Sequence, residues 1–138
     1  MDCIFCKIVA GELPSHKVYE DEATLAFLDI NPATRGHTLV VPKEHATTIF
    51  DLPEEALTAT ARATQAVARI LQRVLQPDGL NVIQNNGHAA GQVVMHYHVH
   101  LVPRREGDGS IRLWRPGATD HAAFAALAEE LRQAREQA

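Results

Sequence analysis

VVMHYHVHLVP, residues 93–103, decides how this chain is read, because it sets His96, His98 and His100 on alternate positions of an otherwise apolar run. β-branched and aromatic residues between a glycine-bearing loop and a proline read as a strand. Side chains alternate across a strand, so the three histidines share one face with Val94 and Val102, while Met95, Tyr97, Val99 and Leu101 share the other. The second face belongs against a core, which aims the imidazoles at a cleft or an opposite layer. At a rise of about 3.3 Å per residue the outer two stand roughly 13 Å apart along the backbone, which disfavours one ion held by all three. An H-x-H pair could still chelate. A lone histidine on a strand is ordinarily a surface or satisfied core residue, but three in strict alternation each need a partner if buried. A chemical role is expected.

The rest of the fold builds outward from that strand. LNVIQN, residues 80–85, is a strand leading through the loop NGHAAGQ into it. Before it lies one long helix: Asp51 is the expected cap, Pro53, Glu54 and Glu55 suit the first turn, and Pro77-Asp78-Gly79 ends it. Its apolar face is expected from Leu57, Ala63, Val67, Ile70, Leu71, Val74 and Leu75. Further upstream, KVYEDEATLAFLDI (17–30) reads as a hairpin turning at Glu20-Asp21-Glu22, and HTLVVP (37–42) as a third strand closed by Pro42. A terminal helix, capped by Thr119 or Asp120, carries Phe124, Leu127, Ala128 and Leu131 on one stripe, after a polar stretch from Arg104 to Gly117. Three strands, a helix, two strands and a helix predict an α+β domain with a largely antiparallel sheet.

Composition bounds the function. The chain has 138 residues, 46% hydrophobic and 22% charged, which is the size and balance of one compact domain. Net charge is −4 and Lys and Arg are scattered, so the basic face of a nucleic-acid binder is missing, while small anionic ligands remain possible. MDCIFCKIV lacks the features of a secretory signal and no segment approaches a membrane span; the expected location is cytoplasmic. The two cysteines, Cys3 and Cys6, form C-x-x-C, which reads either as a redox dithiol or as half of a zinc site.

HYHVHLV (96–102) also fits the alternating His and apolar signature of the histidine triad family, which this chain resembles. CIFCKIVAGELPSHKVYEDE (3–22), LAFLDINPATRGHTLVVPKEH (25–45) and NNGHAAGQ (85–92) resemble family segments in family order, so the likeness spans residues 3 to about 104 of a single domain over 1–138. The resemblance implies the HIT-like fold: an antiparallel sheet of about five strands, one long helix, a short N-terminal helix and a C-terminal helix. It also implies a homodimer that binds a purine nucleotide and cleaves at its α-phosphate through a covalent nucleotidyl-histidine, with no nucleic acid or membrane partner.

The site residues follow from the same likeness. His98 is the implied nucleophile, its ring set by the carbonyl of His96; His100 lies alongside the phosphate and His37 supports the site. Asn85 and Gly91, with the main-chain N–H groups of Gln92 and Val93, would cradle the phosphate, where many relatives have Ser or Thr in place of Val93. Asp29 matches the acid that accepts from ribose hydroxyls, and Phe5, Ile8, Phe27 and Ile30 match the purine slot. Cys3, Cys6, His45 and His96 match the ligand set of a structural Zn²⁺, since two thiolates and two imidazoles suit a closed tetrahedral site. Nucleoside phosphoramidates are the expected substrates. Dinucleoside polyphosphates are the alternative, to which Pro103-Arg104 points, and a non-catalytic nucleotide-binding or sensing module is the alternative of another class. A zinc hydratase or oxygenase using H-x-H lacks an obvious third ligand.

Overall fold

A computed structural model describes residues 2–135. The elements run α1 (Ile4–Val9), β1 (Lys17–Glu20), β2 (Thr24–Leu28), β3 (Thr38–Pro42), α2 (Glu54–Leu75), β4 (Gly79–Gln84), a 3₁₀ turn (His88–Ala90), β5 (Val99–Arg104) and α3 (His121–Arg135). The strands form one sheet in the order β1-β2-β3-β5-β4, every neighbouring pair antiparallel. The hairpin turns where expected because Asp21 Oδ1 accepts from the N–H groups of Ala23 and Thr24, at 2.9 and 2.8 Å.

Both faces of the sheet centre are covered, which is why β2 and β3 read as nearly continuous apolar runs. On one side Ala26, Val40, Tyr97, Val99 and Leu101 pack against α2. On the other, Leu25, Phe27, Leu39 and Val41 pack with Phe5 and Ile8 of α1. The cleft belongs to this second layer.

Three expectations are corrected. Asp51 does not cap α2: its carboxylate accepts from the N–H groups of Thr47 and Thr48 and closes the preceding turn, and α2 starts one residue after Pro53. These bonds hold the Asp51 carboxyl down at about 2. The buried stripe of α2 is Ala56, Thr60, Ala63, Val67 and Leu71, one residue per turn against a single sheet face; Val74 is exposed. Finally, β5 begins at Val99, not Val93. Register pairs Val40 with Val99, so the next partner pairs would reach Pro42, which has no N–H to offer, and Tyr97 donates to Ala46 O at 2.7 Å instead. The alternation survives without the ladder, with Tyr97, Val99 and Leu101 in the core and His98 and His100 on the cleft.

At the other end of the chain Asp120 caps α3, accepting from Ala123 N–H at 3.1 Å. Phe124, Leu127 and Leu131 share the expected stripe, and all three are exposed.

Candidate active site and metal centre

A cleft of about 520 Å³ opens between α1, the end of β2 and the segment 91–94. Phe5, Ile8, Phe27 and Ile30 stand on its wall, as do Asp29, Gly91, Val93, His98 and His100. Phe5 packs edge-on to both Phe27 and His98, with ring centroids 5.5 and 5.1 Å away. Leu13, Pro14, Leu39 and Val94 also line it; their apolar character alone did not separate them from core or surface residues.

The rings are set by main-chain groups. A carbonyl can only accept, so His96 donates through Nε2–H to Pro42 O at 2.8 Å, and its Nδ1 carries the lone pair. By the same reasoning His98 donates through Nδ1–H to His96 O at 2.6 Å, leaving the Nε2 lone pair as its free position. Burial pushes the pKa of both rings below the ordinary imidazole value. His37 lies behind His100, its Nε2 2.9 Å from His100 Nδ1 and 3.6 Å from Asp29 Oδ2. Burial lowers His37 too, and takes His100 down to about 4, helped by the neighbouring His98 and His37. Asp29 Oδ1 accepts from Asn31 N–H at 2.8 Å.

Two expected phosphate contacts lie elsewhere. Gln92 is buried, its N–H donates to Gly87 O, and its side chain ties Gly87 N–H to the carbonyls of Thr47 and Val94. It braces the loop and presents no donor to the cleft. Asn85 is not on the wall, although a Cβ on Gly91 would stand 3.8 Å from its amide nitrogen. Gly91 has φ +92°, a conformation that favours glycine.

Cys3, Cys6, His45 and His96 converge at the start of α1, with their ligand atoms all within 4.8 Å of one another. His96 Nδ1 lies 3.4 Å from Cys3 Sγ and 3.1 Å from His45 Nδ1, and His45 Nδ1 lies 3.3 Å from Cys6 Sγ. The donor set fits a soft divalent cation: Pro42 O already holds the proton of His96 on the far nitrogen, so its lone pair faces the sulfurs. Burial and the Cys3 thiol push the Cys6 thiol up, so Cys6 on its own favours the thiol and a cation would draw out the thiolate. Pro42 O, which orients His96, escaped the sequence reading because no residue type announces it, whereas the His96 carbonyl behind His98 was expected from the family resemblance.

Fold and cleft together define a small α+β protein whose chemistry is organised around oriented imidazoles. The HIT domain profile matches residues 10–107, and the chain belongs to the HIT domain family. It is similar to Protein hit of Bacillus subtilis, 48% identical over 121 residues that cover 87% of this chain and 83% of that one. Adenosine 5'-monophosphoramidase HNT1 of Saccharomyces cerevisiae is 42% identical over 130 residues, covering 94% and 80%. Adenylylsulfatase HINT3 of Arabidopsis thaliana is 41% identical over 107 residues, covering 78% of this chain and 54% of that longer protein. A solved HIT family structure from B. subtilis has a TM-score of 0.91 at 40% identity, covering 96% of each chain. A Zn-bound histidine triad family protein from Mycobacterium smegmatis has a TM-score of 0.76 at 41% identity, covering 100% and 99%.

Proposed function

We propose that the chain is a nucleotide hydrolase that cleaves at the α-phosphate of purine nucleoside phosphoramidates through a covalent nucleotidyl-His98. One observation carries the reading: the bond from His98 Nδ1–H to His96 O leaves Nε2 as an unprotonated nucleophile on the cleft. In the first step Nε2 attacks phosphorus, the P–N bond to the amine breaks, and the amine leaves with a proton. In the second, water attacks phosphorus, the P–Nε2 bond breaks, the water loses a proton, and the nucleoside monophosphate departs from neutral His98. His100 donates to the phosphate oxygens as charge moves between them. Gly91 and the Val93 N–H form the phosphate cradle on the cleft wall, Asp29 takes the ribose hydroxyls, and Phe5, Ile8, Phe27 and Ile30 hold the purine.

The names of two relatives, a monophosphoramidase and an adenylylsulfatase, support a site that transfers an adenylyl group away from different leaving atoms. Dinucleoside polyphosphates would follow the same two steps. Arg104, the feature pointing to them, is bound to Asp108 and Asn81 instead of facing the cleft. We further propose that Cys3, Cys6, His45 and His96 hold a structural Zn²⁺ and that the working molecule is a homodimer.

The test is incubation with adenosine 5'-phosphoramidate and, separately, with a diadenosine polyphosphate, followed by trapping of acid-labile adenylyl-protein. Wild type is expected to release AMP faster from the phosphoramidate and to form the adduct, which His98→Ala abolishes. Absence of turnover of either compound by the wild type would overturn the reading and favour a binding module.

A further inference from the structure

The main-chain N–H of Ala33 points at the ring behind the site, donating to His37 Nδ1 at 2.9 Å. An N–H cannot accept, so His37 Nδ1 is unprotonated and the neutral ring carries its proton on Nε2. That proton faces His100 Nδ1 at 2.9 Å, which must then be the acceptor. His100 is left with its own proton on Nε2. We propose that the Ala33 N–H is a positioning group: acting through His37, it fixes His100 as a permanent hydrogen-bond donor to the phosphate and denies it the part of general acid toward the leaving group.

The proton count carries the second half. If His100 gave up its Nε2 proton, neutrality would require a proton on Nδ1, and the donor facing it among the described residues is His37 Nε2–H. His37 could recover only through Nδ1, where the Ala33 N–H already points. The chain of bonds therefore ends at a group that neither releases nor takes up protons, and the amine must collect its proton at the open mouth of the cleft.

The loop bearing Ala33 is built to hold this direction. His37 N–H returns to Thr34 O at 3.1 Å, Thr34 Oγ1 donates to Pro103 O at 2.7 Å, and Ser110 Oγ donates to Ala33 O at 2.9 Å. A proton on His37 Nε2 also weighs against a cation held by Asp29, His37 and His100, whose ligand atoms lie within 4.8 Å of one another.

The donor role rests on the proposed hydrolase reaction, whereas the tautomers can be read without it. Long-range ¹H–¹⁵N correlation on the zinc-loaded full chain, with rings assigned by substitution, is expected to show His37 and His100 protonated on Nε2 and His98 on Nδ1. His100 protonated on Nδ1 would overturn the proposal, whatever the enzyme turns over. In kinetics, His37→Gln keeps an acceptor and a donor on one side chain, whereas His37→Leu keeps neither. Leu is expected to lower kcat about 10²-fold with little change in KM, as for loss of one oxyanion donor, and Gln to restore about 10-fold of that. Gln no better than Leu would count against the relay. The loss in His37→Leu should be equal for a phosphoramidate and for the 4-nitrophenyl ester of AMP, whose leaving group needs no proton. A loss confined to the phosphoramidate would make His100 an acid after all.

Discussion

Burial favours the uncharged ring at His98 and His100, which is the form the proposed reaction uses. The direction of the His98 shift has a kinetic consequence: the acid limb of kcat/KM should fall at a pH below the ordinary histidine value of about 6.5. A limb centred at or above that value, measured over pH 5 to 8, would show that burial does not control the nucleophile. His100 has a linked effect on stability. Its folded pKa is depressed to about 4, so between the unfolded value and that one the unfolded chain binds a proton that the folded chain refuses. Stability attributable to this ring is intact above the unfolded value and lost as pH falls toward 4, and thermal melts of wild type should drop more steeply over that window than those of His100→Asn. Val93 stands where the family resemblance leads to the expectation of Ser or Thr. It is 84% exposed on the cleft wall and offers methyl groups where a hydroxyl could meet the phosphate. Val93→Ser is expected to raise kcat or change the preferred leaving group, and identical kinetics on both substrates would refute that.

At the level of elements, the cleft depends on short connections more than on the strands themselves. Gly36 turns the chain from the Ala33 loop into β3 with φ +92°, and a Cβ there would run into the Leu75 side chain and stand 3.3 Å from Pro103 Cγ. Gly36→Ala is therefore expected to cost about 1–3 kcal/mol, seen as a lowered midpoint in denaturant. An unchanged midpoint would mean that the turn relaxes freely. The strands, the long helix and the hairpin turn were legible in the sequence because each has a local cause: alternation, a proline stop, or a carboxylate closing a turn. What was not legible is where the ladder stops. VVMHYHVHLVP has the composition of a strand throughout, yet its first six residues lie outside β5, a result that depends on Pro42 arriving opposite from another part of the chain. The exposure of Val74 was hidden for a related reason, since periodicity shows a face but not how much of it a neighbour covers.

On the scale of the whole molecule, the sequence brought nine of the expected nucleotide-site residues to one cleft and all four cysteine and histidine ligands to one point. It misassigned Gln92, because glutamine beside a glycine loop looks the same whether it serves a ligand or braces the backbone. Among the uncovered surfaces of the described residues are the edge strand β4, where Val82 is 53% exposed, and the stripe Phe124, Leu127 and Leu131 on α3. Both are surfaces that the proposed dimer could use, and sedimentation at micromolar concentration should give the mass of two chains; a single-chain mass would discard the dimer. Chelation should lower the melting temperature, whereas an unchanged midpoint with no zinc by elemental analysis would remove the metal. Helix α1 joins these matters. It starts at the thiols and its Phe5 and Ile8 form a wall of the cleft, so the proposed ion and the proposed nucleotide would fasten the same six-residue helix. Thermodynamic linkage then makes them mutual ligands: whatever tightening of AMP the metal provides, AMP returns to the metal in equal measure.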